Sequence, residues 1–179
     1  MKTEYEIRVL ETDKEKLIDK LEELGAKKVG EFNQKRYVYD LNPVQENKWI
    51  RLRTNGKETT LTYKSIEADT VDGTKEVEIK VEDFNTTNEF LNKIGFTARN
   101  YQENNRIQYI LDDIEIDIDT WPKIPTYLEI EGKNEKEVKD MVKKLDLEVS
   151  KITLLNCNSI YKEIYNIDIS KIKELKFNK

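Results

Sequence analysis

The sequence predicts an α+β fold in which eight antiparallel strands close into a barrel with helices flanking it. Several segments alternate between apolar and polar residues with the period of a strand. Stretches with a helix-capping signature and an apolar stripe lie between some of them. A strand–helix–strand–strand–strand unit occurs twice along the chain, and such repeated units can pair edge to edge and close.

In chain order, Glu4 to Leu10 places Tyr5, Ile7 and Val9 on one face and Glu4, Glu6 and Arg8 on the other. Thr12 with Glu15 reads as a capping box opening a helix that carries Leu17, Leu21 and Leu24 and stops at Gly25. A weaker strand over Arg36–Asp40 precedes Trp49–Thr54, where Ile50 and Leu52 alternate with Arg51 and Arg53. Thr59–Lys64 sets Leu61 and Tyr63 against Thr60, Thr62 and Lys64, and Lys75–Glu82 sets Val77, Ile79 and Val81 against Glu76, Glu78 and Lys80. Thr86 with Glu89 opens a second helix carrying Phe90, Leu91 and Ile94 before Gly95. Strands follow over Arg106–Leu111, Ile114–Asp119 and Tyr127–Glu131. Asn134 with Glu137 opens a third helix, with Val138, Met141, Val142 and Leu145 on its stripe, and a weaker fourth covers Ser159–Tyr165. The repeat is visible in the residues: Glu4-Tyr5-Glu6-Ile7-Arg8-Val9 returns 72 positions on as Glu76-Val77-Glu78-Ile79-Lys80-Val81. Each copy leads to a helix, a glycine stop and a strand that begins at Arg36 or Arg106, and Glu129-Ile130-Glu131 is a third, partial copy. One domain over 1–179 is expected, with a core over about 2–165, a tail over 166–179 and a solvated lysine-rich end over Lys171–Lys179.

Composition narrows the function. Charged residues make up 37% of the chain against roughly 25% in an average domain, yet 31 Lys plus Arg are balanced by 36 Asp plus Glu. That balance argues against a nucleic-acid scaffold, which carries a basic excess. No apolar run approaches the roughly 20 residues of a membrane span, no leader is read at the N-terminus, and a single cysteine, Cys157, forms no intrachain disulfide. A cytoplasmic setting is expected. There is no histidine, so a metal site must be built from carboxylates, which suits Mg²⁺, Mn²⁺ or Ca²⁺.

The polar strand faces read as an interior rather than a solvated surface. They carry Glu, Asp, Arg and Lys rather than Ser or Asn, and the signs are sorted by strand. Clustered carboxylates repel unless cations stand between them. Carboxylates two apart on a strand point the same way and present paired oxygen ligands, while Arg51 and Arg53 present two guanidinium forks suited to phosphate. A polyanion with divalent metals fits such a lumen better than a neutral metabolite. Trp49 and Trp121 read as wall or rim packing, and Tyr37 and Tyr39 as packing.

This ordered series resembles the CYTH superfamily, the triphosphate tunnel metalloenzymes, from about Lys2 to Tyr165. The family's ExExK strand is matched by Glu4-Tyr5-Glu6-Ile7-Arg8, its basic strand by Trp49-Ile50-Arg51-Leu52-Arg53, and its next lysine by Lys64. Its central acidic strand is matched by Glu76 and Glu78, a later arginine by Arg106, and its closing stretch by Asp119–Gly132. The resemblance implies an eight-stranded tunnel, a triphosphate-containing small molecule as partner, and Mg²⁺ or Mn²⁺. It implies Glu4, Glu6, Glu129 and Glu131 as metal ligands with Glu78 and Asp119 as further ones, Arg51, Arg53, Lys64 and Arg106 as phosphate-binding residues with Lys80 beside them, and Glu4, Glu6 and Arg8 as catalytic. The expected activity is hydrolysis of tripolyphosphate, thiamine triphosphate or a nucleoside triphosphate. The alternatives are a class IV adenylyl cyclase and a triphosphate-binding module without turnover. No nucleic-acid or membrane partner is expected; a homodimer is compatible with the sequence. Arg8 departs from the family's lysine, and an arginine stays protonated, so it binds phosphate but cannot serve as a base.

Overall fold

In the computed structural model, which describes residues 1–178, the eight expected strands are present and close on one another. They are β1 (Lys2–Val9), β2 (Lys27–Asp40), β3 (Lys48–Thr54), β4 (Thr59–Ile66), β5 (Thr74–Val81), β6 (Ala98–Leu111), β7 (Ile114–Thr120) and β8 (Tyr127–Gly132). Round the barrel the order is β6-β2-β3-β4-β5-β1-β8-β7, and β7 returns to β6. Every one of these pairings is antiparallel.

The sequence repeat explains this order. Exchanging β1 with β5, β2 with β6, β3 with β7 and β4 with β8 maps the pairing scheme onto itself. The barrel is thus two β-α-β-β-β units related by a pseudo-two-fold, joined where β1 pairs with its mate β5 and β2 with its mate β6. α1 (Lys14–Glu23) and α2 (Phe84–Lys93) occupy equivalent places, and both units leave their helix through a left-handed glycine, Gly25 at φ +75° and Gly95 at φ +97°. A side chain at either position would strain the backbone.

The strands obey the alternation, with the apolar residues facing outward. Ile7, Val9, Ile107, Tyr109, Ile116, Ile118, Leu128 and Ile130 form a dry layer between the barrel wall and the helices. Leu17 and Leu21 of α1 cover it, with Val138, Met141 and Val142 of α3 (Glu135–Lys144). Each such side chain, fully buried, contributes about 1.5–3 kcal/mol. The main hydrophobic core therefore lies outside the barrel, which leaves the lumen to polar side chains.

Four details depart from the expectations. The helices α1 and α2 are capped by Asp13 and Asp83, whose carboxylates accept from the backbone N–H groups of Lys16 and Thr86; Thr12 instead donates its hydroxyl to the Val9 carbonyl. An aspartate accepts such bonds with a full charge at the positive helix end, which favours it over a threonine. α3 does open at the expected cap: Asn134 accepts from the Glu137 N–H at 3.0 Å, and the Glu137 carboxylate reaches back to the Asn134 side chain at 2.9 Å and the Lys133 N–H at 3.0 Å. The strands around Arg36 and Arg106 are each 14 residues long rather than five or six, and pair with each other over most of their length. The fourth helix reduces to a turn at Cys157–Ser159 and a wide turn at Ile160–Ile164. The chain end is not wholly solvated: β10 (Glu174–Leu175) runs parallel to β6, and Ile169 and Leu175 are buried against Trp121, Ile124, Tyr127 and Tyr161. Another short strand, β9 (Ile152–Thr153), pairs with β1, and Lys179 lies outside the described residues.

Candidate active site

The inward side chains enclose a cavity of about 580 Å³. Its lining is charged and mostly shielded from solvent: Glu4, Glu6, Arg8, Arg36, Lys64, Glu76, Arg106 and Asp119 are each 9% exposed or less. The C-terminal segment, through Asn156, Cys157, Ser159 and Ile169, covers one end. Burying this many charges is costly unless each finds a partner, and the pairing pattern defines the site.

On one side, β1 and β8 bring carboxylates together. Glu6 stands opposite Glu131, and Arg8 opposite Glu129, in the strand register. Arg8 Nε donates to Glu129 at 2.8 Å, Nη2 to Glu6 at 2.9 Å, and Nη1 to the Leu155 carbonyl at 3.1 Å. Arg8 is therefore a brace between two carboxylates and the segment that covers the tunnel. Lys64 Nζ lies 2.8 Å from Glu4 and 3.6 Å from Glu76. Burial pushes the Glu76 carboxyl up to about 7, the nearby Lys64 opposing and Glu4 adding to the shift. Burial also raises Glu4, but the Lys64 ammonium outweighs it and leaves Glu4 below the usual range. Glu131 accepts from Lys2 at 2.7 Å and is nevertheless raised, burial being the largest cause.

Arg106 is held firmly. Its Nε and Nη2 donate to the two oxygens of Asp119 at 2.8 and 2.6 Å, Nη1 pairs with Asp117, and Glu129 stands 3.5 Å from Nη2. Asp119, 1% exposed and accepting on both oxygens, is the counter-ion of Arg106 rather than an open ligand.

The opposite wall is basic and poorly neutralised. Arg51 and Arg53 of β3 reach only Glu78, at 3.5 and 3.9 Å, and Glu78 is itself held by the Thr62 hydroxyl at 2.6 Å. The neighbouring Arg51 charge, with burial second, drives the Arg53 guanidinium down to about 9. Lys80 is not part of the lining; it points out to solvent and pairs with Glu58 at 2.6 Å. Four lining cations were not singled out from sequence, Lys2, Lys48, Arg99 and Arg36. Arg36 of β2 is buried, and burial followed by repulsion from Arg51 lowers it to about 10. The signal for it was the repeat: Arg36 precedes Arg106 by 70 positions, as Gly25 precedes Gly95.

The donor set was tested against a divalent ion. It is all oxygen, and its carboxylates already hold cationic side chains, Lys64 between Glu4 and Glu76, Lys2 on Glu131 and Arg8 on Glu6 and Glu129. Like charges facing one another across a ladder, as Glu6 and Glu131 do, call for a cation between them. No three carboxylates among the described residues stand ready-grouped as a ligand set. The chemistry fits Mg²⁺ or Mn²⁺, which share their oxygen ligands with phosphates and water.

Fold and lining together define a class, a closed antiparallel barrel whose charged lumen is divided into an acidic and a basic wall. The sequence model for the CYTH domain matches residues 2–160, and the chain belongs to that family. A Methanocaldococcus jannaschii protein provisionally named adenylate cyclase is 28% identical over 171 residues, 90% of this chain and 95% of that one. A Pyrococcus horikoshii protein structure superposes with a TM-score of 0.74 at 24% identity, covering 86% of this chain and 96% of its own. The structure of a Hippeastrum protein, provisionally named adenylyl cyclase and described as having a dominant triphosphatase activity, superposes at 0.62 with 14% identity, covering 93% and 97%. These two structures share the fold. No helix among the described residues is long and apolar enough to cross a membrane.

Proposed function

We propose that the chain hydrolyses a triphosphate-containing small molecule in its tunnel, using Mg²⁺ or Mn²⁺. The observation that carries this is the division of the lumen: the three guanidiniums on β2 and β3 have a single carboxylate, Glu78, at 3.5 Å from Arg51 and 3.9 Å from Arg53, while the wall across from them is rich in carboxylates. An anion that brings its own divalent cations neutralises both walls at once. Glu4, Glu6 and Glu131 would hold the metal, with Glu129 beside them. Bound there, the ion would supply charge neutralisation and an acidified water.

The chain's own residues do the remainder. Arg51 and Arg53 donate to phosphate oxygens and orient the chain of phosphates, which is most of what phosphoryl transfer asks of a protein. Lys64 is placed to exchange its carboxylate partners for a phosphate oxygen. Arg106, saturated by Asp117, Asp119 and Glu129, holds the acidic wall in shape. Arg8 remains protonated and fixes Glu6 and Glu129; it does not take a proton.

A second reading, adenylyl cyclase, is favoured by the named relative that spans 90% of the chain. One assay separates them: tripolyphosphate, thiamine triphosphate and ATP with Mg²⁺ or Mn²⁺, following both phosphate and cyclic AMP. Phosphate release is expected. Cyclic AMP with diphosphate would replace hydrolysis by cyclisation, and metal-dependent binding without turnover would leave a binding module.

A further inference from the structure

The pseudo-two-fold sets Arg36 and Arg106 on equivalent strands, β2 and β6, which pair with each other. Their surroundings are opposite in sign. Arg106 lies across the ladder from Asp119 of β7; Arg36 lies across the ladder from Arg53 of β3. Arg106 has three carboxylates within 4 Å, whereas Arg36 has no ion-pair partner among the described residues. Its Nη2 donates to the neutral side-chain oxygens of Gln34, at 2.9 Å, and Asn104. Its guanidinium lies over the Trp121 ring, 4.5 Å from the centroid.

Two buried N–H groups here point at no acceptor, Arg36 Nε and Trp121 Nε1, and a third, Arg51 Nε, lies on the neighbouring strand. Buried donors are normally satisfied, and a buried guanidinium without a counter-charge is a costly arrangement to keep. Three unmet N–H donors and three mutually repelling cations together ask for a compact anion with several oxygens. The position is also specific. Trp121 packs on Tyr161 of the C-terminal segment, so Arg36 sits at the covered end of the tunnel. β2 is four strands from β1 in the eight-strand ring, diametrically opposite the carboxylate wall.

We infer that Arg36, with Arg53 and the Trp121 indole N–H, forms an oxyanion site that receives the terminal phosphoryl group of the substrate at the covered end. This inference rests on the triphosphate reading of the tunnel. It makes Arg36 a substrate-positioning residue and Trp121 a donor as well as a packing group. It also implies that a chain of three phosphates engages Arg36 more fully than a single phosphate held by β3 alone.

Calorimetric titration of the full chain with tripolyphosphate in Mg²⁺ tests it, beside orthophosphate as the short probe. Arg36→Gln is expected to weaken tripolyphosphate binding about tenfold or more, the scale of a charge-assisted hydrogen bond. Orthophosphate affinity should fall less. Arg36→Lys keeps the charge but not the fork, so it is expected to recover only part of the loss. Circular dichroism and urea unfolding check that each variant is folded. A folded Arg36→Gln protein that binds tripolyphosphate within about twofold of the parent overturns the site while leaving the triphosphate reading intact. Should Arg36→Gln not fold, Arg36→Lys decides: parental affinity overturns the site, and a loss of several-fold supports it. A parent chain that binds no tripolyphosphate removes both the function and the site.

Discussion

At the scale of single residues, the acidic wall depends on its counter-charges. Burial holds the Asp117 carboxyl well above its ordinary value, with Arg106 opposing and Asp119, Glu115 and Glu129 reinforcing the rise. Arg106→Met removes the opposing charge from three carboxylates, and breaking a buried pair in this way costs about 3–5 kcal/mol. Without Arg106 nothing offsets the rise of the Asp117 carboxyl above its unfolded value. The variant's deficit is therefore smallest in acid, below the unfolded value, and grows as pH rises from there towards the folded one. Urea unfolding at pH 5 and pH 7 reads this directly, and an equal deficit at both would contradict it. A second residue-scale expectation concerns Cys157. Burial pushes its thiol up to about 11, the guanidiniums of Arg36 and Arg8 offsetting part of the rise. At pH 8 the folded chain should react slowly with a thiol reagent and yield one rapid equivalent once unfolded in urea. The charged lining was legible because Glu and Arg at alternate positions have no reason to be sorted by strand on a surface. Arg36 was missed because its neighbours in the inward row, Gln34 and Val38, carry no charge, so nothing in that segment alternates like the others. Lys80 was misplaced because alternation gives a face but not a depth: Glu76 and Glu78 of the same row line the cavity, while Lys80 is exposed and paired with Glu58.

At the scale of elements, the helices and the chain end serve as covers. Leu175 is fully buried against the cluster that includes Trp121 and Tyr161, although β10 is two residues long. Leu175→Ala is expected to cost about 2–5 kcal/mol, as deletion of a buried leucine does. Replacing the α3 cap, Asn134→Ala, is expected to cost about 1 kcal/mol. Denaturant midpoints of the two variants give the ranking, and a cap that outweighs Leu175 would reverse this account of the end. The element sequence was legible wherever an apolar outward face coincided with a helix above it, as on β1, β7 and β8. The added lengths of β2 and β6 were not, because Lys27–Lys35 and Ala98–Asn105 contain few apolar residues. They are strands because they pair with each other, and the inward amides of Gln34, Gln102 and Asn104 are buried without forming an apolar pattern. Chain-end packing escaped for a related reason: isolated Ile169 and Leu175 among lysines carry no periodicity.

At the scale of the whole molecule, the two walls of the lumen repel within themselves until something joins them. Mg²⁺ with tripolyphosphate is expected to stabilise the fold by about 2.7 kcal/mol at a hundredfold excess over Kd, raising Tm by about 5–10 °C for a domain of this size. Either component alone should give less, and thermal scans with each in turn decide it; equal shifts from the metal alone would assign the lumen a different occupant. The topology was the most legible feature of all. An offset of 72 residues between two acidic strands foretold a duplicated unit, and duplication with edge pairing leaves closure as the simplest outcome.

The placement of the dry core outside the wall has a consequence for how such a protein changes over time. In most barrels of this size the lumen is the core, and every inward substitution is a packing event. Here Ile116, Leu128 and Ile130 pack against the helices on one side of the wall, and chemistry is left to the other. Inward positions can then be exchanged together with their counter-charges while the folding information stays untouched. Lineages descended from one duplicated ancestor could so come to differ in substrate and reaction and still superpose strand for strand.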